Sequence, residues 1–454
     1  APARLIGAAT SRRSTSGHAR DEATAKTGGA THFCSPSLAR RAETARRPSG
    51  RPRRTESQKG TEQEKTMEKI TEKLLSWASI LEQGTRDQAV TTASMPFIHP
   101  HVALMPDAHL GLGATVGSVI PTLGAIMPTA VGVDIGCGMI AVVTDRDKGD
   151  LPDDLQPLIG KFGRSVPAGV GQAHAKVLAA ARTFFDADPP PVDLDTIRPG
   201  LTERARRQLG SLGSGNHFLE VCLNEKDQVW VVIHSGSRGA GNLIAMHHIA
   251  IAKVLMEAQE IKLEDKDLAY LMKASPEGQE YLEAMLWAQR YALANREIMM
   301  DAALSDVFGH IGSGEEVQRI NCHHNFATKE VHGGEEVWIT RKGAIRAERG
   351  DLGIIPGSMG AATYIVEGKG NPDSYNSSAH GAGRKFSRGQ ARRTFTTDSL
   401  NRWMRGKAWN SNHPKALLDE HPEAYKDIDQ VMKDQEDLVS VLHKLHQIVN
   451  YKGL

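Results

Sequence analysis

The spacing of apolar residues changes several times along the chain, and each change predicts a different element. MEKITEKLLSWA places its apolar positions on one face of a helix, which predicts an amphipathic helix over 68–82. From Val102 to Asp145, MPDAHLGLGATVGSVIP and AIMPTAVGVDIGCGMIAVVTD are rich in Val, Ile and Gly with short turns and read as successive strands. A polar, Pro-rich connection spans Asp150 to Pro199. LGSLGSGNHFLEV and QVWVVIHSGSRG then read as two strands with Gly-rich turns, each turn carrying a histidine. IAMHHIAIAKVL and YLEAMLWAQRYALANREIMM return to helical spacing, giving a helical pair from Leu243 to about Phe308 with a break near Ser275 and Pro276. EEVWITRKGAIRA and DLGIIPGSMGAATYIVEG are strands again, SSAHGAGRKFSRG is a Gly/Ser loop, and a closing helix is expected from about Glu423 to Val449. Clustered strands interrupted by a helical pair point to one large α+β domain of mixed sheets, residues 67–454. The absence of GxGxxG and GxxxxGK[ST] argues against a doubly wound nucleotide fold.

Composition refines this picture at the N-terminus. The net charge is only +1, so the total implies no polyanionic partner. Residues 1–66 hold 14 Lys and Arg against 6 Asp and Glu, with few large apolar residues, so they cannot build a core and read as a disordered basic extension. A transit peptide and a nucleic-acid-binding arm compete with that reading, but Asp21, Glu22 and the missing amphipathic pattern weaken both. The favoured expectation is that Met67 is the natural start and that translated leader precedes it. Cys34, Cys137, Cys222 and Cys322 form no CxxC pair, which argues against a disulfide framework or zinc ribbon and for a reducing compartment. No window is expected to reach the length of a membrane span, so the expectation is a cytoplasmic protein, with a monomer favoured because no heptad run or apolar edge signals a partner.

Two groups of residues carry candidate chemistry. Asp134 and Cys137 in GVDIGCGM lie three apart in a Gly-flanked turn, where a carboxylate and a thiolate can converge on a cation. His217 in GSGNHFLEV, His234 in VVIHSGSRG and His324 in NCHHNFA occupy similar Gly, Asn or Ser contexts, and imidazole is the commonest nitrogen ligand. His323 and His324 are adjacent and point in different directions, so at most one ligates. His99, His101, His174, His247 and His248 sit in ordinary loop or helical patterns and are read as structural. In the second group, GIIPGSMGAATYIVEG lets backbone N–H groups approach an anion, and SAHGAGRK sets His380 among small residues with Arg384 and Lys385 behind it, an accessible imidazole suited to covalent work on a phosphoryl group. Arg388, Arg392 and Arg393, and a second cluster of Arg341, Lys342, Arg346 and Arg349, are expected to give local anion-binding surface. These residue types also suit a metal phosphoesterase, which would leave His380 and PGSMG idle, or a non-catalytic RNA-binding module, which would waste the donor set.

From about Met67 to Leu454 the chain resembles the RtcB family of tRNA-splicing and RNA-repair ligases, through MPDAHLGLGATVG, GVDIGCGM, GSGNHFLEV, HSGSRG, NCHHNFA, TRKGAIRA, IPGSMG, HGAGR and the terminal YKG. The resemblance implies a GTP- and manganese-dependent enzyme joining RNA 3′-phosphate or 2′,3′-cyclic phosphate ends to 5′-hydroxyl ends, with His380 guanylylated. It implies two Mn2+ ions, one on Asp134, Cys137 and His217 and the other on Cys137, His234 and His324. It places guanylate contacts at Asn216, His217, Glu220, His324, Asn325, Pro356, Gly357, Ser358, Met359, Thr363, His380, Gly381, Ala382, Gly383 and Lys452, and RNA phosphates at Arg238 and Arg384. Thr363 stands where the family commonly has serine, a change that keeps the hydroxyl. An accessory activating protein is a further candidate partner. Manganese itself is a family implication, because such a donor set binds zinc or copper more tightly.

Overall fold

The structure, a computed structural model, describes residues 67–453. The expected basic extension, 1–66, lies outside the described residues. Two sheets carry the fold. A six-stranded sheet runs in the order Glu68–Thr71, Leu74–Ser76, Val102–His109, Val116–Thr122, Glu335–Lys342, Asn325–His332. An eight-stranded sheet runs Glu316–His323, Gly138–Asp147, Gln228–Ser235, Phe218–Leu223, Val439–Lys452, Thr363–Gly368, Leu352–Pro356, with Ala408–Trp409 pairing off Val439–Lys452. His324 is the single residue between Glu316–His323 of one sheet and Asn325–His332 of the other, so the chain crosses between sheets at a candidate ligand.

The helical pair is present as Arg238–Ala258 and Pro276–Ile311. The break falls where expected for a physical reason. The Ser275 side chain accepts from the Gly278 N–H and Pro276 occupies the first turn, where its missing N–H costs no hydrogen bond. The two helices share a core through Ile244, Ala245, Ala252, Met285, Trp287 and Ala288.

Several expectations are corrected. Residues 68–76 form a hairpin, not a helix. Leu74 packs in one apolar cluster and Leu75 in another, on opposite faces, as consecutive strand residues do when both faces are covered. The helix expected over 423–449 is instead a short helix, Ile428–Lys433, followed by the strand Val439–Lys452. Irregularities in its pairing, at Ile365/Val366 and Gln447/Val449, break the two-residue alternation and leave a pattern that mimics helical spacing. The connection from Asp150 to Pro199 holds the helices Gln156–Ser165, Ala179–Ala187 and Leu194–Ile197. Arg238–Ala258 is, contrary to expectation, long and apolar enough to cross a membrane, yet one face of it is buried in the core. The Arg341 cluster is not one surface. Arg341 is fully buried on Glu330, and the Lys342 ammonium donates to the Leu112 and Thr129 carbonyls.

Candidate functional site

Strand register gathers the candidate donors at one end of the eight-stranded sheet. Gly138 pairs with Ser235 and with His323, Met139 with His234, and His234 with Phe218. Cys137, His217, His234 and His324 therefore meet although they are far apart in sequence. Asp134 joins them through a turn that only glycine allows at Gly136, where φ is +72° and a Cβ would stand 2.8 Å from the Gln289 Cα on the long helix. Gly138 is equally constrained, because a Cβ there would lie 2.1 Å from the Cys322 carbonyl oxygen.

The donors form two overlapping triads, Asp134 with Cys137 and His217, and Cys137 with His234 and His324. Cys137 Sγ lies 3.4 Å from His217 Nε2 and 3.3 Å from His234 Nε2, and His234 Nε2 is 2.8 Å from His324 Nε2. His217 Nε2 is 3.1 Å from Asp134 Oδ2, while its Nδ1 donates to the Leu212 carbonyl at 2.9 Å, which leaves Nε2 as the lone-pair nitrogen. Burial, reinforced by neighbouring histidines, holds His234 and His324 neutral, well below the usual imidazole range. Burial and the Asp134 carboxylate push the Cys137 thiol well up. At Asp134 burial pushes upward, but the hydrogen bond and charge of His217, with Arg238, outweigh it and hold the carboxyl at about 2. A carboxylate, three imidazoles and a thiol that metal binding would deprotonate make two donor sets, joined at Cys137, that could each hold a divalent cation. His323, the alternative to His324, is spent on the Gly136 carbonyl at 2.8 Å and on Arg296.

His380 lies beside these donors. Its ring centroid is 4.7 Å from that of His324. Its Nδ1 stands 2.6 Å from Asp107 Oδ2, and the same oxygen accepts from the backbone N–H groups of His380 and Gly381. Asp107 lies within MPDAHLGLG, where the sequence reading assigns it no role. The signal was a carboxylate inside the otherwise apolar strand VALMPDAH, a position that must be paired if buried, and it is fully buried. With Nδ1 set against a carboxylate, Nε2 is the ring nitrogen left with a lone pair. Gly383 completes the turn at φ +72°, with room for no Cβ against the Asp107 carbonyl.

One cavity of about 350 Å³ joins Cys137, His234, His324 and His380 to the predicted nucleotide contacts Asn216, Glu220, Asn325, 356–359, Thr363, 381–383 and Lys452. Ser358 Oγ and Thr363 Oγ1 are buried there without a partner, as groups waiting for a ligand would be. Burial, opposed by Lys452 and Asn450, pushes Glu220 up to about 8. Lys452 Nζ is 3.4 Å from Glu420. The predicted RNA contacts fare differently. Arg238 does not line the cavity and lies on the Asp134 flank, its Nε donating to Ser211 Oγ. Arg384 lines it, but its guanidinium is occupied by Glu420, the Tyr425 hydroxyl and the Asp419 carbonyl.

A family model described as tRNA-splicing ligase RtcB matches residues 88–453. The chain is 44% identical over 395 residues to the RNA-splicing ligase RtcB of Escherichia coli K12, covering 82% of this chain and 95% of that one. It is 33% identical over 411 residues to the RNA-splicing ligase RtcB of Mycobacterium tuberculosis, covering 76% and 95%. With the tRNA-splicing ligase RtcB of Methanococcus maripaludis it shares 31% identity over 423 residues, covering 77% and 87%.

Proposed function

The chain belongs to the RtcB family of tRNA-splicing ligases, and from that premise we propose that it joins RNA 3′-phosphate or 2′,3′-cyclic phosphate ends to 5′-hydroxyl ends at the expense of GTP. The observation that carries the reading is His380. An imidazole with one nitrogen against the buried Asp107 carboxylate stands beside two metal-donor triads, in a cavity with unpartnered hydroxyls. A phosphoesterase using the same donors would leave that arrangement idle.

His380 Nε2 attacks the α-phosphorus of GTP, forming a P–N bond and releasing pyrophosphate. An oxygen of the RNA 3′-phosphate then attacks the same phosphorus and breaks the P–N bond, giving RNA(3′)pp(5′)G. The 5′-hydroxyl finally attacks the RNA 3′-phosphorus, its proton passing to solvent, and GMP leaves. Cyclic ends are first hydrolysed to 3′-phosphate. Asp134, Cys137 and His217 would hold one Mn2+ and Cys137, His234 and His324 the other, supplying charge that stabilises the attacking and leaving oxygens at phosphorus. Asp107 keeps the proton on His380 Nδ1 and the ring in place. Glu220 and Lys452 face the guanine, and Ser358 and Thr363 supply hydroxyls to the nucleotide.

The test is a ligation assay with GTP, Mn2+ and oligonucleotides bearing a 3′-phosphate and a 5′-hydroxyl, in which a joined product that depends on both cofactors is expected. Product formed without GTP, or only from 3′-hydroxyl and 5′-phosphate ends, would remove the reading. Asp107→Asn is expected to slow formation of the GMP adduct about 10²-fold, because the carboxamide cannot stabilise the positive charge that develops on the imidazole as the P–N bond forms and permits the wrong tautomer. Single-turnover labelling measures it, and sealing of pre-activated RNA(3′)pp(5′)G by the same variant should change far less.

A further inference from the structure

Part of the cavity wall is built from residues with no role so far. Val116 and His380 both pack on Gly343, where a Cβ would meet Val116 Cγ1 at 2.3 Å and His380 Cε1 at 3.0 Å. Beyond Val116 the wall continues through His109, Leu112, Thr129, Val133 and Lys342. Its polar groups are not spent. Thr129 Oγ1 is buried without a partner, on a residue 1% exposed. His109 Nδ1 is taken by the Asp107 carbonyl at 2.9 Å, which leaves Nε2 as an acceptor on the cavity side. The Lys342 ammonium uses two protons on the Leu112 and Thr129 carbonyls and keeps a third. Leu112 is 52% exposed at the rim, yet its loop is clamped, because the Gln88 side-chain amide donates to the Gly111 carbonyl at 2.7 Å and accepts from its N–H at 3.1 Å.

We propose that this lobe, formed by His109, Leu112, Val116, Thr129, Val133 and Lys342, binds the terminal nucleoside of the RNA strand that carries the 3′-phosphate. The inference rests on the ligase reading. A ribose offers hydroxyls for Thr129 and His109, its phosphate suits Lys342, and the sugar and base edge suit the apolar wall. The strand is assigned by position. The end that receives GMP must reach His380, and this lobe touches His380 without being part of the guanylate wall.

The test uses the full chain with Mn2+ and fluorescence anisotropy of two short RNAs, one with a 3′-phosphate and a 5′ dye, the other with a free 5′-hydroxyl and a dye-blocked 3′ end. Thr129→Val removes the unpartnered hydroxyl at constant shape, and Leu112→Ser alters a surface side chain, so neither threatens folding. Each is expected to weaken the 3′-phosphate RNA about fivefold and the pair about tenfold or more, with the 5′-hydroxyl RNA within about twofold of wild type. Unchanged affinity for the 3′-phosphate RNA would overturn the proposal, as would weakening confined to the 5′-hydroxyl RNA. A parallel loss of GMP labelling would assign the lobe to the triphosphate and overturn it too. A wild-type protein that takes up no GMP would sink the ligase reading while leaving the binding comparison to decide whether the lobe holds the RNA end.

Discussion

Cys137→Ala is expected to abolish binding at both metal positions and to lower ligation by at least about 10³-fold, because its sulfur is the one donor common to the two triads. The neighbours explain why no other group can substitute. His234 and His324 already meet at 2.8 Å through Nε2, and once the sulfur is gone each triad falls to two ligands. Asp134→Ala or His324→Ala removes a ligand from one triad only, so partial activities at individual steps are expected to survive there. The fold should tolerate the change. Cys137 is buried as a small side chain, its carbonyl accepts from the His324 and Asn325 N–H groups, and alanine keeps those bonds. Metal content after dialysis and thermal melting, measured on the same preparation, separate loss of metal from loss of fold. A variant that still bound two ions would show that the sulfur does not bridge.

The second large effect falls on His380→Ala. Loss of the imidazole held against the Asp107 carboxylate should stop GMP adduct formation and, with it, joining of 3′-phosphate ends, a fall of at least about 10⁴-fold set by the removed nucleophile. The same variant should still seal RNA(3′)pp(5′)G made beforehand, since that step uses the metal donors and the RNA contacts rather than the histidine nitrogen. Failure in both assays, with metal content intact, would mean that His380 serves the fold or the final displacement instead of the covalent step.

Much of this site was legible before any coordinates. GVDIGCGM, GSGNHFLEV and NCHHNFA named their ligands because a reactive side chain among Gly, Asn and Ser is accessible and has no core to fill. What the sequence did not disclose was pairing. The resemblance singles out His324 rather than His323, and the physical reason, its place between two sheets, comes from register. Asp107, His109, Thr129 and Lys342 escaped because each sits in or beside an apolar strand, where single-residue patterns read as core. In the sequence Lys342 reads as surface charge, although burial pushes it down to about 7 and two of its N–H groups go to carbonyls. The two misread elements, 68–82 and 423–449, share a cause. Both contain strands with pairing irregularities, and an irregular strand loses the alternation by which it would be recognised.

The covalent step is the centre of the account, and one measurement reaches it directly. The full chain is incubated with α-labelled GTP and Mn2+, quenched in alkali, digested and mapped by mass spectrometry. One acid-labile GMP per chain is expected, on the peptide carrying His380, and it should leave on addition of RNA with a 3′-phosphate but not with a 3′-hydroxyl. An adduct mapped to a lysine, one stable in acid, or one that survives in His380→Ala, would contradict it.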